Sequence, residues 1–153
     1  MTNILFVCHG NICRSPMAEF VLKDMAEKAH VSDKLYIASA ATSTEEIGNP
    51  VHYGTTARLR REGISTAGKT AVQMRKADYA KYDYIIGMDK WNIRNIKAIC
   101  GGDPDNKVML MMSLTGSQRD VADPWYTGDF EATYKDVYAG CRALMERLGY
   151  TVK

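Results

Sequence analysis

The chain has 153 residues, 46% hydrophobic and 25% charged, which is enough for one domain with its own core and an ordinary globular balance. A net charge of +2 carries no electrostatic footprint of a nucleic-acid binder, and no apolar stretch approaches the length of a membrane span. The four cysteines, with no basic-then-apolar leader ahead of them, point to free thiols in a reducing cytoplasm.

Asn3 to Val7 is a short apolar run without alternation, the pattern of a buried parallel strand. A loop, Cys8 to Ser15, follows it. Pro16 suits the first turn of a helix, and Met17, Phe20, Val21, Met25 and Ala29 fall on one helical face. Leu35 to Ala38 reads as a second strand, and Thr42 to Pro50 as a loop rich in turn formers. His52 to Glu62 reads as a helix ended by Gly63, and Lys76 to Tyr82 as a short helix. Tyr84 to Met88 is a third buried strand, Lys90 to Ile99 a helix, Gly101 to Asn106 a turn-rich connection and Val108 to Met112 a fourth strand. Phe130 to Leu148 forms a long terminal helix stopped by Gly149. Strands alternating with helices predict a single α/β domain: a four-stranded parallel sheet with helices on both faces and the loop after the first strand. No internal repeat, linker or low-complexity tract interrupts it. Ligands of such sheets bind at the carboxyl ends of the strands, where Cys8, Ser39 and Asp89 all fall.

The segment Cys8-His9-Gly10-Asn11-Ile12-Cys13-Arg14-Ser15 carries the chemistry. Between a strand and a helix start, such a loop turns its backbone N–H groups inward, and the helix N-terminus adds partial positive charge. The result is a cradle for a tetrahedral oxyanion, to which Arg14 adds a bidentate fork. Gly10 and Asn11 are suited to the left-handed conformations of a compact loop. Cys8 shares the same positive field, which favours its thiolate, the nucleophilic form. An anion cradle with a thiolate at its base implies attack on phosphorus.

Cys8 to Ser15, with Pro16, resembles the C-x5-R-[ST] phosphate loop of the low-molecular-weight protein tyrosine phosphatases. The late segment Asp123-Pro124-Trp125-Tyr126 resembles the Asp-Pro-aromatic-aromatic segment that holds the family's general acid. Ser39-Ala40-Ala41-Thr42-Ser43, Ile47-Gly48-Asn49-Pro50 and Met88-Asp89 extend the resemblance over nearly the whole chain. It implies hydrolysis of phosphotyrosine through a phosphocysteine intermediate, with Cys8 as nucleophile, Arg14 holding phosphate and Asp123 as general acid. It places His9, Gly10, Asn11, Ile12, Cys13 and Ser15 around the substrate, with Trp125 and Tyr126 walling the slot. A deep aromatic slot favours phosphotyrosine, since phosphoserine could not reach the nucleophile. Ser15 would donate its hydroxyl to the Cys8 sulfur, Asn11 and Ser39 would brace the loop, and Asp89 would orient Arg14. Cys13 would pair with Cys8 in a protective disulfide under oxidation. No metal or other cofactor is required, because loop dipoles and Arg14 neutralise the anion. The expected partners are phosphotyrosine proteins or peptides, with inorganic phosphate as product and inhibitor. The resemblance implies no nucleic acid, no membrane, and a monomer or weak dimer.

Two departures from the family stand out. Eukaryotic relatives tend to carry an aromatic where this chain has Glu45; the pair Glu45-Glu46 would disfavour acidic peptides and favour basic or small ones. The stretch Gly68 to Gln73 lacks the histidine and arginine usual there, so any bracing they give is replaced or absent. Rival readings exist on the same scaffold. Protein arginine phosphatases tend to have threonine where this loop has Ile12, and arsenate reductases need a relay of further cysteines, whereas Cys100 and Cys141 read as structural. A non-catalytic phosphate-binding module would have no need to keep Cys8, Arg14 and Asp123 together, and a pure thiol switch would need no Asp123. His9 either tunes the pocket or fills space. His30 and His52 read as surface residues, Met109, Met111 and Met112 as core, and Arg58, Arg60 and Arg61 as the solvated face of a helix.

Overall fold

The computed structural model describes all of residues 1–153. Ten elements follow in chain order: β1 (Thr2–Cys8), α1 (Arg14–Lys28), β2 (Leu35–Ala41), α2 (Tyr53–Arg60), α3 (Asp78–Lys81), β3 (Tyr84–Gly87), α4 (Lys90–Cys100), β4 (Val108–Leu110), α5 (Pro124–Thr127) and α6 (Phe130–Arg147). The strands form one parallel sheet in the order β2-β1-β3-β4. Residues along a strand point to opposite faces, and both faces of β1 are covered. Ile4, Phe6 and Cys8 pack with Met17, Val21 and Leu22 of α1 and with Cys141, Leu144 and Met145 of α6. Leu5 and Val7 pack with Ile85, Ile96 and Cys100 on the other face.

The chain leaves β1 toward β2 on one side, while β3 lies on the other. The strand order therefore reverses direction beside β1, opening a crevice at the carboxyl ends of β1 and β3. Cys8 ends β1, and Asp89 follows β3 by two residues. The segment that carries Asp123 is stitched to the same edge, Val121 N–H donating to the Met88 carbonyl at 2.8 Å.

The fourth strand ends at Leu110, and Met111–Thr115 form a 3-10 turn instead of continuing it. The turn carries Met111 and Met112 into the α1/α6 core, and Gly140 makes room: a Cβ there would lie 2.5 Å from Met111 Cε. The second helix is also shorter than its pattern suggests, since His52 caps it rather than joining it, its Nδ1 accepting from Gly54 N–H at 3.0 Å. Nor is His52 a free surface ring: it stacks on Tyr53 and Phe130 and meets Trp125 edge-on. Arg58 departs from the solvated face expected of it. It is buried, hydrogen-bonds Glu131 and Glu62, and lies over the Tyr134 ring, pinning α2 to α6.

Candidate active site

The loop from Cys8 into α1 depends on two residues. Asn11 takes the left-handed conformation, φ 58°, which asparagine tolerates better than most side chains. Gly10 does not share it. Its lack of a side chain serves close approach instead, because a Cβ there would sit 3.3 Å from Glu46 Cγ. Helix α1 starts at Arg14 without a side-chain cap, and the amides from Ile12 to Ser15 donate to no acceptor within the chain. A fan of free amides at a helix N-terminus is a ready seat for a phosphate.

Beneath this seat lies a buried hydrogen-bond chain whose protons can be assigned. Glu19, buried on α1, accepts from Lys23 Nζ and from Ser39 Oγ, each at 2.5 Å. A carboxylate only accepts, so the Ser39 hydroxyl proton is committed to it. The Ser39 oxygen then accepts from Asn11 Nδ2 at 2.9 Å, and the same amide nitrogen donates to Ser15 Oγ at 2.8 Å. Val72 N–H donates to Asn11 Oδ1 at 3.2 Å, which fixes which end of the amide points where. Ser15 is thereby an acceptor from Asn11 and keeps its own proton for Cys8 Sγ, 3.0 Å away. Asn11 N–H adds a second donor to that sulfur at 3.3 Å. Both donors are aimed at the sulfur, where a nucleophile would carry its lone pair.

Lys69 closes the far end of the chain. Its Nζ donates to the Ser39 carbonyl at 2.9 Å and lies 3.7 Å from Glu19. Burial lowers the Lys69 pKa, with the Glu19 carboxylate opposing the shift.

Arg14 is 2% exposed and spans the floor. One guanidinium nitrogen donates to Asp89 Oδ2 at 2.8 Å and to the Val121 carbonyl at 2.9 Å; the other reaches Asp123 Oδ2 at 3.4 Å. Burial works against its charge, but Cys8, Asp123 and Asp89 outweigh it and hold the guanidinium above its usual range. Asp89 is placed by its own helix: its second oxygen caps α4, accepting from Asn92 N–H at 2.8 Å. Asp123 likewise caps the short α5, its Oδ1 accepting from Trp125 N–H at 3.1 Å.

These groups surround a cavity of about 130 Å³ lined by Cys8, His9, Gly10, Ile12, Cys13, Arg14, Glu45, Glu46, Asp123, Trp125 and Tyr126. Asn11 and Ser15, expected around the substrate, stand behind the wall and hold the sulfur instead. Ser39 and Asp89 also act from behind. Burial, with Cys8 and Asp123 beside it, pushes the Cys13 thiol up to about 12.

A family model described as low molecular weight phosphotyrosine protein phosphatase matches residues 3–153. The low molecular weight protein-tyrosine-phosphatase YfkJ of Bacillus subtilis is 41% identical over 147 residues, covering 95% of this chain and 94% of that one. The human low molecular weight phosphotyrosine protein phosphatase is 38% identical over 152 residues, at 95% and 94% coverage. The YfkJ crystal structure superposes with a TM-score of 0.94 over 97% of this chain and 95% of that one, at 40% identity. A Drosophila arginine phosphatase is also similar, with a TM-score of 0.88 and 27% identity, covering 97% of this chain and 98% of that one. The chain belongs to the low molecular weight phosphotyrosine protein phosphatase family.

Sequence reasoning missed Glu19, Lys23 and Lys69. Glu19 and Lys23 carry the spacing of an ordinary exposed helix pair. The one available signal was Glu19 among Met17, Ala18, Val21 and Leu22, all buried with it. Within the stretch after Gly68, Lys69 holds the Ser39 carbonyl and so supports the loop from that side.

Proposed function

We propose that this chain hydrolyses phosphotyrosine in proteins through a phosphocysteine intermediate. The observation that carries the reading is the Cys8 sulfur at the cavity floor, held by two donors, with Arg14 and Asp123 on the same cavity. The thiolate attacks phosphorus in line, the P–O bond to the tyrosine oxygen breaks, and the Cys8 S–P bond forms. Loop amides and Arg14 hold the equatorial oxygens as charge builds on them. The departing phenolate, whose conjugate acid has a pKa of about 10, takes its proton from Asp123. Asp123, now a carboxylate, takes a proton from water as that water attacks phosphorus. Phosphate leaves, and Cys8 returns as thiolate with Ser15 donating to it.

His9, Gly10, Ile12 and Cys13 contact the phosphate and ring, while Trp125 and Tyr126 flank the ring. Ser39 and Asn11 brace the loop and Asp89 holds Arg14. Cys13 serves as the reversible partner of Cys8 under oxidation, and the enzyme works in the cytoplasm on phosphoproteins, as a monomer or weak dimer. Ile12 at the cavity favours an aromatic substrate over phosphoarginine, and neither Cys100 nor Cys141 lines the cavity as a reductase relay would require.

The test is phosphate release, without added metal, from matched phosphotyrosine and phosphoarginine peptides. Tyrosine-selective release is expected, falling by about 10⁴-fold or more in Cys8→Ser, whose phosphate binding persists. Arginine-selective release would overturn the substrate assignment and leave the chemistry.

A further inference from the structure

The walls at the cavity mouth differ in character from the floor. One is acidic: Glu45 and Glu46 both line it. The cavity lining holds no lysine, and its one arginine, Arg14, is buried and engaged with Asp89 and the Val121 carbonyl. Glu45 meets His9 Nε2 at 2.8 Å while its side chain stays 68% exposed, and Glu46 accepts from Asn49 Nδ2 at 2.6 Å. The other wall is aromatic, with Trp125 57% and Tyr126 84% exposed.

The acidic wall is also fixed in place. Thr42 N–H donates to the Cys8 carbonyl at 2.9 Å, and Ser43 Oγ to the His9 carbonyl at 2.9 Å. Glu46 packs against Gly10, where a Cβ would lie 3.3 Å from Glu46 Cγ. The carboxylates are thus held against the cradle itself.

An acidic pair on a loop is usually only solvated, and an aromatic pair beside a phosphotyrosine slot usually only shields the ring. Here both line one cavity, and both attract the same chemical group. Carboxylates pair with cations, and indole and phenol faces hold cations, a guanidinium best of all. A dianionic phosphate bound over Arg14 puts the residues next to the phosphotyrosine against these walls. We infer that the mouth is a cation-recognising subsite, and that the preferred substrates carry arginine or lysine directly beside the phosphotyrosine, arginine above lysine. The inference rests on the phosphotyrosine reading.

The experiment compares kcat/KM for three phosphotyrosine peptides, identical except for arginine, alanine or glutamate on both sides of the phosphotyrosine. A small aryl phosphate is run in parallel. The arginine-to-glutamate ratio is expected to be about 10 at low salt, the product of pairs worth about 2- to 5-fold each, and to shrink as salt screens them. Glu45→Gln with Glu46→Gln should bring the ratio to within about twofold of unity. Because this is a ratio on one enzyme, partial misfolding of a variant cancels. A wild-type ratio near one, or one indifferent to the double substitution, with the aryl phosphate still turned over, overturns the subsite and leaves the phosphatase standing. No turnover of any substrate overturns both.

Discussion

The floor and the rim of this cavity are held in different ways. At the floor Cys8, Asn11, Arg14, Ser15, Glu19 and Ser39 are all buried, and the protons of their hydrogen-bond chain are assigned, Asn11 donating to both Ser39 and Ser15, Ser39 to Glu19 and Ser15 to the sulfur. At the rim Glu45, Trp125 and Tyr126 are exposed, and Asp123 is tied only by its cap to α5 and a long contact to Arg14. The floor must meet every phosphate identically, so its cost of ordering is met in folding rather than in binding. The rim meets whatever protein carries the phosphate, and there exposure and charge select. In the proposed mechanism, reaction type therefore lives in the buried half and substrate choice in the open half.

The largest test of this division is at the one rim residue assigned to chemistry. Asp123→Ala should slow hydrolysis by about 10²- to 10³-fold for aryl phosphates with poor leaving groups, and far less for a good leaving group that needs no proton. Equal loss across the series would remove Asp123 from the role of acid. It would also leave the chemistry entirely to the floor.

A smaller effect is expected from Glu19, which touches no substrate. Glu19→Gln offers Ser39 a donor where it now finds an acceptor only, so the chain toward Ser15 loses its direction. Turnover should fall about tenfold, and alkylation of Cys8 by iodoacetamide at pH 6 should slow by a similar factor, the scale of one charge-assisted hydrogen bond. A merely structural Glu19 would lower thermal stability while leaving the alkylation rate of the folded fraction unchanged.

This contrast also explains what the sequence could and could not reveal. That Cys8, Arg14 and Asp123 meet at one cavity was legible because the proposed chemistry demands particular residue types at a strand end, at a helix start and ahead of a proline. The strands were legible because both faces of the sheet are covered, which leaves unbroken apolar runs such as Ile4 to Val7. Glu19 and Lys69 were not legible. Their meaning comes from meeting across 50 positions, and each alone looks like a surface charge. Arg58 was misplaced for the same reason, its partner Glu131 lying on α6. The extra strand residues Met111 and Met112 have the apolar character of a strand, but the chain turns there and Met111 packs into the space that Gly140 on α6 leaves open.

Cys13 lies where the two halves meet, lining the cavity yet 5% exposed. Cys13→Ser should change turnover by no more than about twofold, since the thiol is neutral and makes no bond to the sulfur. After peroxide treatment, however, thiol should restore less activity to the variant than to the wild type. Equal recovery would sink the protective role of Cys13.

The smallest effect concerns stability alone. The same burial that keeps Cys13 protonated couples folding to alkali. Burial pushes its thiol from an ordinary 9.0 up to about 12, and raises Cys141 in the same direction. Between these values the unfolded chain has lost a proton that the folded chain retains, so the unfolded state binds fewer protons and stability falls as pH rises. Below about pH 9 both states are protonated and these thiols contribute no slope. The melting temperature should therefore decline as pH climbs from 9 toward 12. In Cys13→Ser the decline should be shallower, because one of the titrating thiols is gone. An identical decline in the variant would show that Cys13 ionises as easily in the fold as outside it, and that this part of the cavity wall is wetter than its burial indicates.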